Sequence, residues 1–399
     1  ALGLWAVSGC SESPTAPTQS AKLEDIFDLP KLQSIGSAIT KAQEEKRLPG
    51  GVLWVERNGV HFTEAYGKAS VEPVPSPAQP DTIYDAASLT KVVATTTAVL
   101  LLHERGNLSI DDPVNKHLPE FTGGGRDAVT IRHLLTHTSG LRPDISLAGW
   151  NGHAECIAKC VAEKLQSKPG QKLKYSDINF QLLDEIIRRV TKRRLDLFCE
   201  KEIFGPLKMT DTGYNPPAEK RNRVAPTTVK DGKALQGIVH DPRARKTEGV
   251  AGHAGLFTTA PDLARYAKML LQEGELDGVR LFKPETVKLM TTVQTPSALS
   301  VRRGLGWDID TGYSSPRGLT DGTQFPLGSY GHTGFTGPSI WIDPYSQTFV
   351  IFLCNRVHPT ENGPSIIPLR RTIGTLAAEA VKGFDFHNVP GALPAREGN

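Results

Sequence analysis

The hydrophobic pattern at the start of the chain predicts a helix followed by a β-hairpin. From Leu23 to about Arg47 apolar residues recur at helical spacing, and Pro49-Gly50 ends the predicted helix. The next stretch, GVLWVERNGVHFTEAYGKAS, alternates apolar and polar residues on both sides of Asn58-Gly59. An Asn-Gly pair between alternating runs is typical of a tight turn, so two paired strands are expected here.

The pattern is helical in the middle of the chain and returns to strands near its end. Between Ala86 and about Pro217 helical spacing dominates, broken by loops such as FTGGGRD and SKPGQ. Three later segments, GLGWDID, GSYGHTGFTGPSIWIDP and TFVIFLCNRV, are rich in β-branched and aromatic residues and predict strands. The segment PSIIPLRRTIGTLAAEAV then predicts a last helix.

This order of elements predicts an α+β fold, an α/β sandwich. One antiparallel sheet takes strands from both ends of the chain, helices pack on it, and an all-helical region is inserted between the two halves. We expect the folded domain at 23–385, with sheet regions at about 23–85 and 250–385 and the helical region at about 86–249. Residues 386–399 are interpreted as a tail.

Composition and charge narrow the function classes. The 399 residues are 38% hydrophobic and 22% charged, as in an ordinary globular domain. The net charge is only +3, and the basic run in FQLLDEIIRRVTKRRLDLF is interpreted as the solvated face of an amphipathic helix. Nucleic acid is therefore not an expected partner. The sequence contains no run of 18 apolar residues, so no membrane span is predicted.

The N-terminal segment carries a possible membrane tether. Val7-Ser8-Gly9-Cys10 resembles a bacterial lipobox, and the Ser/Thr/Pro-rich SESPTAPTQSAK follows it. We interpret residues 1–22 as the remnant of a lipoprotein signal and a linker. Lipidation of Cys10 would then tether an extracytoplasmic domain, either periplasmic or membrane-anchored. The alternative is a chance cysteine in an irregular terminus.

The other cysteines are interpreted as buried small hydrophobic residues. Cys156 and Cys160 are four residues apart on a predicted helix, where a relaxed disulfide is disfavoured. No CxxC pair occurs, and His153 beside Cys156 is too little for a zinc site, so no metal is expected.

A candidate nucleophile stands at the start of a mostly apolar helix. In DAASLTK, Ser88 and Lys91 are three residues apart and share a helix face. The helix N-terminus favours negative charge on the hydroxyl and, together with burial, favours loss of the lysine proton. A helix cap and a solvated lysine would give the same short pattern.

Two further segments follow the Ser88–Lys91 motif along the chain. Their presence in this order favours a catalytic interpretation of that motif. KLKYSDINF places Tyr175 and Asp177 at the start of another helix. YGHTGFTG places His332, Thr333 and Gly334 on a C-terminal strand. The three motifs resemble those of the serine β-lactamases and penicillin-binding proteins, which are SxxK, YxN or SxN, and KTG. The tyrosine points to the class C branch, with its D-Ala-D-Ala carboxypeptidase, D-aminopeptidase and family VIII esterase relatives.

The resemblance implies roles for these residues and no metal or organic cofactor. Ser88 would attack a carbonyl, while Lys91 and Tyr175 share the proton transfers. The backbone N–H groups of Ser88 and Phe335 would form the oxyanion hole. The resemblance assigns the remaining motif residues to substrate binding: Asp177, His332, Thr333 and Gly334. Of these, His332 and Thr333 would line the leaving-group side.

Two residues depart from the family motifs. Asp177 stands where Asn is usual; an ionised carboxylate only accepts hydrogen bonds, would raise the pKa of Lys91 and would shift the role of base to Tyr175. His332 stands where Lys is usual, and a neutral imidazole is a poor anchor for a carboxylate. The departures weaken the case for an efficient β-lactamase and leave carboxypeptidase, amidase and esterase chemistry open.

Several alternatives stay open. The expected function is hydrolysis through an acyl-enzyme on Ser88, with a peptide or small ester as substrate; a β-lactamase and a slowly acylated penicillin-binding sensor are the alternatives. A Ser-His-Asp hydrolase is disfavoured because no G-x-S-x-G occurs. We therefore interpret His137, His240, Asp241 and His253 as members of structural hydrogen bonds.

Overall fold

A computed structural model describes residues 21–311 and 324–395. The candidate lipidation residue Cys10 lies outside these ranges, as do most of the predicted linker and the end of the predicted tail. Within them the strands, in chain order, are β1 (Gly50–Arg57), β2 (Val60–Ser70), β3 (Ser76–Pro77), β4 (Tyr84–Asp85), β5 (Gly213–Tyr214), β6 (Val229–Lys230), β7 (Lys233–Ala234), β8 (Leu256–Thr258), β9 (Glu275–Leu276), β10 (Val279–Arg280), β11 (Tyr330–Thr333), β12 (Ser339–Asp343) and β13 (Thr348–Cys354).

The helices are mostly in the middle of the chain, with two elements before β1 and one after β13. In chain order they are α1 (Leu23–Ile26), α2 (Leu29–Glu44), α3 (Thr97–Glu104), α4 (Ile131–Leu135), α5 (Gly152–Ala162), α6 (Asp177–Thr191), α7 (Leu195–Cys199), α8 (Pro242–Lys246), α9 (Ala260–Leu271), α10 (Pro284–Thr291) and α11 (Ile367–Ala380). A π-helical turn, Lys91–Thr96, leads directly into α3. None of the helices in the described ranges is long and apolar enough to cross a membrane.

The main sheet has six antiparallel strands in the order β11-β12-β13-β1-β2-β3. Strands β1 and β2 form the predicted hairpin, with Asn58 and Gly59 as the two turn residues, both at positive φ. Strand β1 pairs with β13, so the two ends of the chain meet in the centre of the sheet. The predicted antiparallel sheet with flanking helices is confirmed.

Both faces of the central strands are buried, which explains why β1 is apolar from Val52 to Val55. Val52 and Trp54 belong to one core cluster together with residues of α3, α6 and α9. Leu53 and Val55 belong to a second cluster together with residues of α2 and α11. Successive side chains of a strand point to opposite faces, so a strand between two helical layers needs apolar residues at every position.

The structure differs from the predicted pattern in four respects. The first helix is interrupted at Phe27, and Asp28 then caps α2 by accepting a hydrogen bond from Lys31 N–H. The predicted helix through the basic run ends at Lys192, which has a φ of +57°, and α7 begins afterwards. The predicted strand GLGWDID forms only isolated bridges, through Asp308. The middle of the chain also contains short strands and long loops, so it is not all-helical.

The four cysteines within the described ranges are buried and free, as predicted. Cys156 and Cys160 both approach the side-chain oxygen of Gln181 on α6. They therefore pack α5 against α6 and form no disulfide.

Candidate active site

Ser88 follows a turn that Asp85 holds in place. The buried carboxylate of Asp85 accepts hydrogen bonds from the N–H groups of Ala87 (2.8 Å) and His240 (2.7 Å). Ala87 has a φ of +45°, an unusual value for a residue other than glycine. The turn places Ser88, which is partly exposed, directly before the helical segment that carries Lys91.

Lys91 is fully buried, and its Nζ contacts four oxygens. It lies 3.1 Å from Ser88 Oγ, 2.9 Å from the carbonyl oxygen of His253 and 2.7 Å from Asp177 Oδ1. It also hydrogen-bonds to Tyr175 and lies 5.0 Å from the centre of that ring. The Lys91 ammonium thus contacts both the candidate nucleophile Ser88 and the other predicted partner, Tyr175.

The charge on Lys91 results from two opposing effects. Burial lowers the pKa of the lysine, but the charge of Asp177, the neighbouring Tyr175 and the hydrogen bonds to both outweigh it, so the pKa is raised. The expectation that the helix end and burial would free Lys91 of its proton is therefore wrong. The alternative, in which Asp177 keeps the lysine charged, is the one that the structure supports.

Tyr175 is held by packing against His137. The two rings stack with centroids 4.2 Å apart, and His137 Nδ1 accepts a hydrogen bond from Ser176 N–H at 3.1 Å. Burial, aided by nearby positive charges, holds the pKa of His137 well below its usual range. His137 is therefore neutral and carries its proton on Nε2. Its predicted structural hydrogen bond exists, but its stacking on the candidate base was not predicted.

The third motif reaches the site along strand β11. A Cβ atom on Gly334 would lie 2.6 Å from the carbonyl oxygen of Ala86, so only glycine permits this approach to the nucleophile turn. His332 Nδ1 donates to the carbonyl oxygen of Thr333 at 2.9 Å, which leaves Nε2 as an acceptor. Burial and the charges of Arg303 and Lys91 hold the pKa of His332 well below its usual range, so the imidazole is neutral.

The backbone N–H groups of Ser88 and Phe335 have no acceptor among the residues that the structure describes. Phe335 lies in the turn after β11, where Gly334 N–H donates to the carbonyl oxygen of Pro338 at 2.8 Å. Both groups are thus available to a ligand at Ser88.

Two cavities meet at Ser88, Tyr175 and Phe335. The first, here called the His332 cavity, has a volume of about 480 Å³. Its further lining residues are His332, Thr333, Gly334, Arg356, Gly363, Ser365, Ile366, Ile367 and Arg370. The second, the Asp241 cavity, has a volume of about 370 Å³. Its further lining residues are Ala87, Asp144, Asp177, His240, Asp241, Pro242, Arg243, His253, Ala254 and Glu361.

The charged groups of the Asp241 cavity are paired. His253 Nε2 lies 3.0 Å from Asp241 Oδ1, and His240 Nε2 lies 3.1 Å from Glu361 Oε1. Burial lowers the pKa of His253, but the charge and hydrogen bond of Asp241 outweigh it and raise the pKa to about 9. The predicted structural hydrogen bonds of these histidines are confirmed. Among the described residues, no group of three or more His, Cys, Asp or Glu side chains could hold a metal ion.

This fold, with a Ser-x-x-Lys pair at a helix start beside the sheet, is that of a serine hydrolase. The family model for β-lactamase matches residues 35–374, and the chain belongs to this family. A relative from Escherichia coli O157:H7, named "Putative D-alanyl-D-alanine carboxypeptidase", is 30% identical over 407 residues and covers 92% of each chain.

Solved structures agree on the fold. A class C β-lactamase superposes with a TM-score of 0.73 at 22% identity, covering 89% of this chain and 98% of its own. EstCE1, a hydrolase with promiscuous acyltransferase activity, superposes with a TM-score of 0.69 at 21% identity, covering 87% of this chain and 99% of its own.

The pair of His253 and Asp241 predicts a loss of stability at alkaline pH. A pKa raised from 6.5 to about 9 contributes stability that is complete below about pH 6.5 and is lost as the pH rises to 9. The Asp241→Asn variant should have a lower free energy of unfolding and a shallower decline between these pH values. Urea denaturation at pH 6 to 9.5 measures both, with Glu361→Gln as a control that removes a more exposed carboxylate. An unchanged slope in Asp241→Asn would contradict the assignment.

Proposed function

We propose that the protein hydrolyses its substrate in two acyl-transfer steps, with Ser88 as the nucleophile. The observation that carries this proposal is the 3.1 Å contact of Ser88 Oγ with Lys91 Nζ, where two cavities meet. A substrate can therefore extend to both sides of the serine, with its acyl part in one cavity and its leaving group in the other.

Because Lys91 keeps its proton, the role of base falls to Tyr175. In this proposal Tyr175 reacts as the phenolate, stabilised by the adjacent Lys91 ammonium. Its oxygen takes the proton of Ser88 Oγ as the bond from Oγ to the carbonyl carbon forms, which leaves Tyr175 as the neutral phenol. The bond from that carbon to the leaving nitrogen or oxygen then breaks, and Tyr175 returns the proton to the leaving group. Water hydrolyses the acyl-enzyme by the same steps in reverse.

Two N–H groups support the tetrahedral intermediate in this proposal. Those of Ser88 and Phe335 bind the carbonyl oxygen as it becomes negative. The carbonyl oxygens around Phe335 are already engaged by Arg356 and Arg370, which hold this turn in position.

We propose short peptides ending in a D-amino acid, or small esters, as the substrates. The relatives named as D-alanyl-D-alanine carboxypeptidases support the peptide. The neutral imidazole of His332, where a lysine is usual in the family, favours the ester, because it offers no charge to a leaving group with a carboxylate.

Labelling by a penicillin tests the nucleophile. Intact-protein mass should show a lasting penicillin adduct that maps to Ser88 in the wild-type chain and is absent from Ser88→Ala, because only Oγ can form the ester. Penicillin that is consumed without an adduct would indicate a β-lactamase. An adduct of equal yield on Ser88→Ala would refute the proposal.

The role of Tyr175 predicts a large loss of rate on removal of its hydroxyl. Tyr175→Phe should lower kcat/KM for p-nitrophenyl acetate by roughly 100-fold or more, since a general acid/base contributes about this much. Tyr66→Phe is the matched control, because its hydroxyl bonds to the exposed Glu64 and Tyr66 lines neither cavity. A near-normal rate for Tyr175→Phe would return the role of base to Lys91.

We also propose that Cys10 is lipidated and that the domain works outside the cytoplasm. The support is the lipobox-like Val7-Ser8-Gly9-Cys10 and the linker-like sequence after it. In cells fed an alkyne fatty acid, the full-length precursor should become labelled and the Cys10→Ala variant should not. Equal labelling of both would reject the proposal.

A further inference from the structure

The His332 cavity contains two guanidinium groups and no carboxylate. Among the described residues that line it, Arg356 and Arg370 are the cationic side chains, and no Asp or Glu is present. The Asp241 cavity on the other side of Ser88 has four lining carboxylates, each close to a cationic or imidazole group. The His332 cavity is therefore lined by cationic groups without carboxylates, whereas the charges of the Asp241 cavity are paired.

One terminal nitrogen of Arg370 is engaged by the protein itself. Its Nη2 donates to the carbonyl oxygens of Gly334 and Gly337, both at 2.7 Å, and to that of Pro338 at 3.1 Å. These bonds hold the turn that carries Phe335, so Arg370 is a positioning residue for that turn.

The guanidinium of Arg356 is held in position by Phe335, but no carboxylate pairs with it in the described ranges. Its Nε donates to the carbonyl oxygen of Phe335 at 2.9 Å, and its guanidinium lies 4.7 Å from the centre of the Phe335 ring. Its two terminal nitrogens have no hydrogen-bond or ion-pair partner in the described ranges. A guanidinium held by Nε and by a ring face keeps its terminal N–H groups oriented for a ligand with two acceptor oxygens.

We propose that Arg356 binds a carboxylate on the leaving group of the substrate. This inference rests on the proposed function and deepens it, because it selects peptides with a free C-terminal carboxylate over uncharged esters. Arg356 takes the part that His332 cannot perform: His332 is neutral, its Nδ1–H is engaged by Thr333, and its Nε2 can only accept. The carboxylate subsite thus lies on the segment that follows β13, while β11 contributes hydrogen-bonding groups.

Binding to a catalytically silent chain tests this site apart from the reaction. In the Ser88→Ala background, calorimetry compares a tripeptide ending in D-Ala-D-Ala with the same tripeptide amidated at its C-terminus. The acid should bind roughly 10- to 100-fold more tightly, as expected for hydrogen bonds to a charged group. The preference should shrink as salt is raised, since the pair is partly solvated.

Three variants in the same background make the comparison specific. Arg356→Met should abolish the preference for the acid. Arg356→Lys keeps the charge without the planar fork and should retain part of it. Arg221→Met, which removes one exposed arginine outside both cavities, should retain all of it. Circular dichroism of each variant confirms that the fold is intact.

The outcomes separate this inference from the proposed function. Equal binding of acid and amide, an acid preference that survives Arg356→Met, or no binding of the acid at millimolar concentration would each overturn the carboxylate site. A preference that depends on Arg356 supports it even if the chain with Ser88 intact cleaves neither peptide. That last result would instead count against the proposed hydrolysis.

Discussion

The candidate site depends on one ion pair, between the fully buried ammonium of Lys91 and the partly buried carboxylate of Asp177, 2.7 Å apart. A fully buried ammonium is costly unless its hydrogen bonds are satisfied, and removing one partner of such a pair typically costs about 3–5 kcal/mol. Here the remaining contacts of Nζ are Ser88 Oγ, Tyr175 and the carbonyl oxygen of His253. One charged group thus joins the nucleophile turn, the start of α6 and the glycine-rich loop before β8.

The same pair determines the chemistry that we propose. Since Asp177 stabilises the proton on Lys91, the lysine acts as a fixed positive charge and Tyr175 moves the protons. His137, stacked on Tyr175 and neutral, holds the phenol without adding a competing charge. Lys91 is paired with Asp177, whereas the terminal nitrogens of Arg356 in the His332 cavity have no partner among the residues that the structure describes.

The sequence alone was sufficient to predict features that are determined by residues close together in the chain. Asn58-Gly59 between alternating runs specified the hairpin, and the spacing of Ser88 and Lys91 placed both on one helix face. The order of the three motifs identified the residues that the fold brings together. It did so because these motifs mark the ends of elements, at a helix start and along an edge strand of the sheet.

Contacts between residues that are far apart in the sequence, and the properties that depend on these contacts, could not be predicted. The charge of Lys91 is a balance between burial and the contact with Asp177, and its sign requires the geometry of both. The stacking of His137 on Tyr175 joins two loops that share no pattern. Arg356 carries no motif, and its importance follows only from its contact with Phe335 and from the cavity that it lines. The break at Lys192 occurs within a run of helical propensity, where tertiary packing of α7 decides the outcome.

The most direct test of this account is the protonation state of Lys91. In protein labelled with ¹⁵N-lysine, with the Lys91 signal assigned by its loss in Lys91→Met, the side-chain nitrogen is followed by NMR as the pH is raised from about 6 to about 11. The account predicts a midpoint above the ordinary value for lysine in the wild-type protein, and a lower midpoint when Asp177 is replaced by Asn. A midpoint below the ordinary value for lysine, about 10.4, would contradict it and favour Lys91 itself as the base.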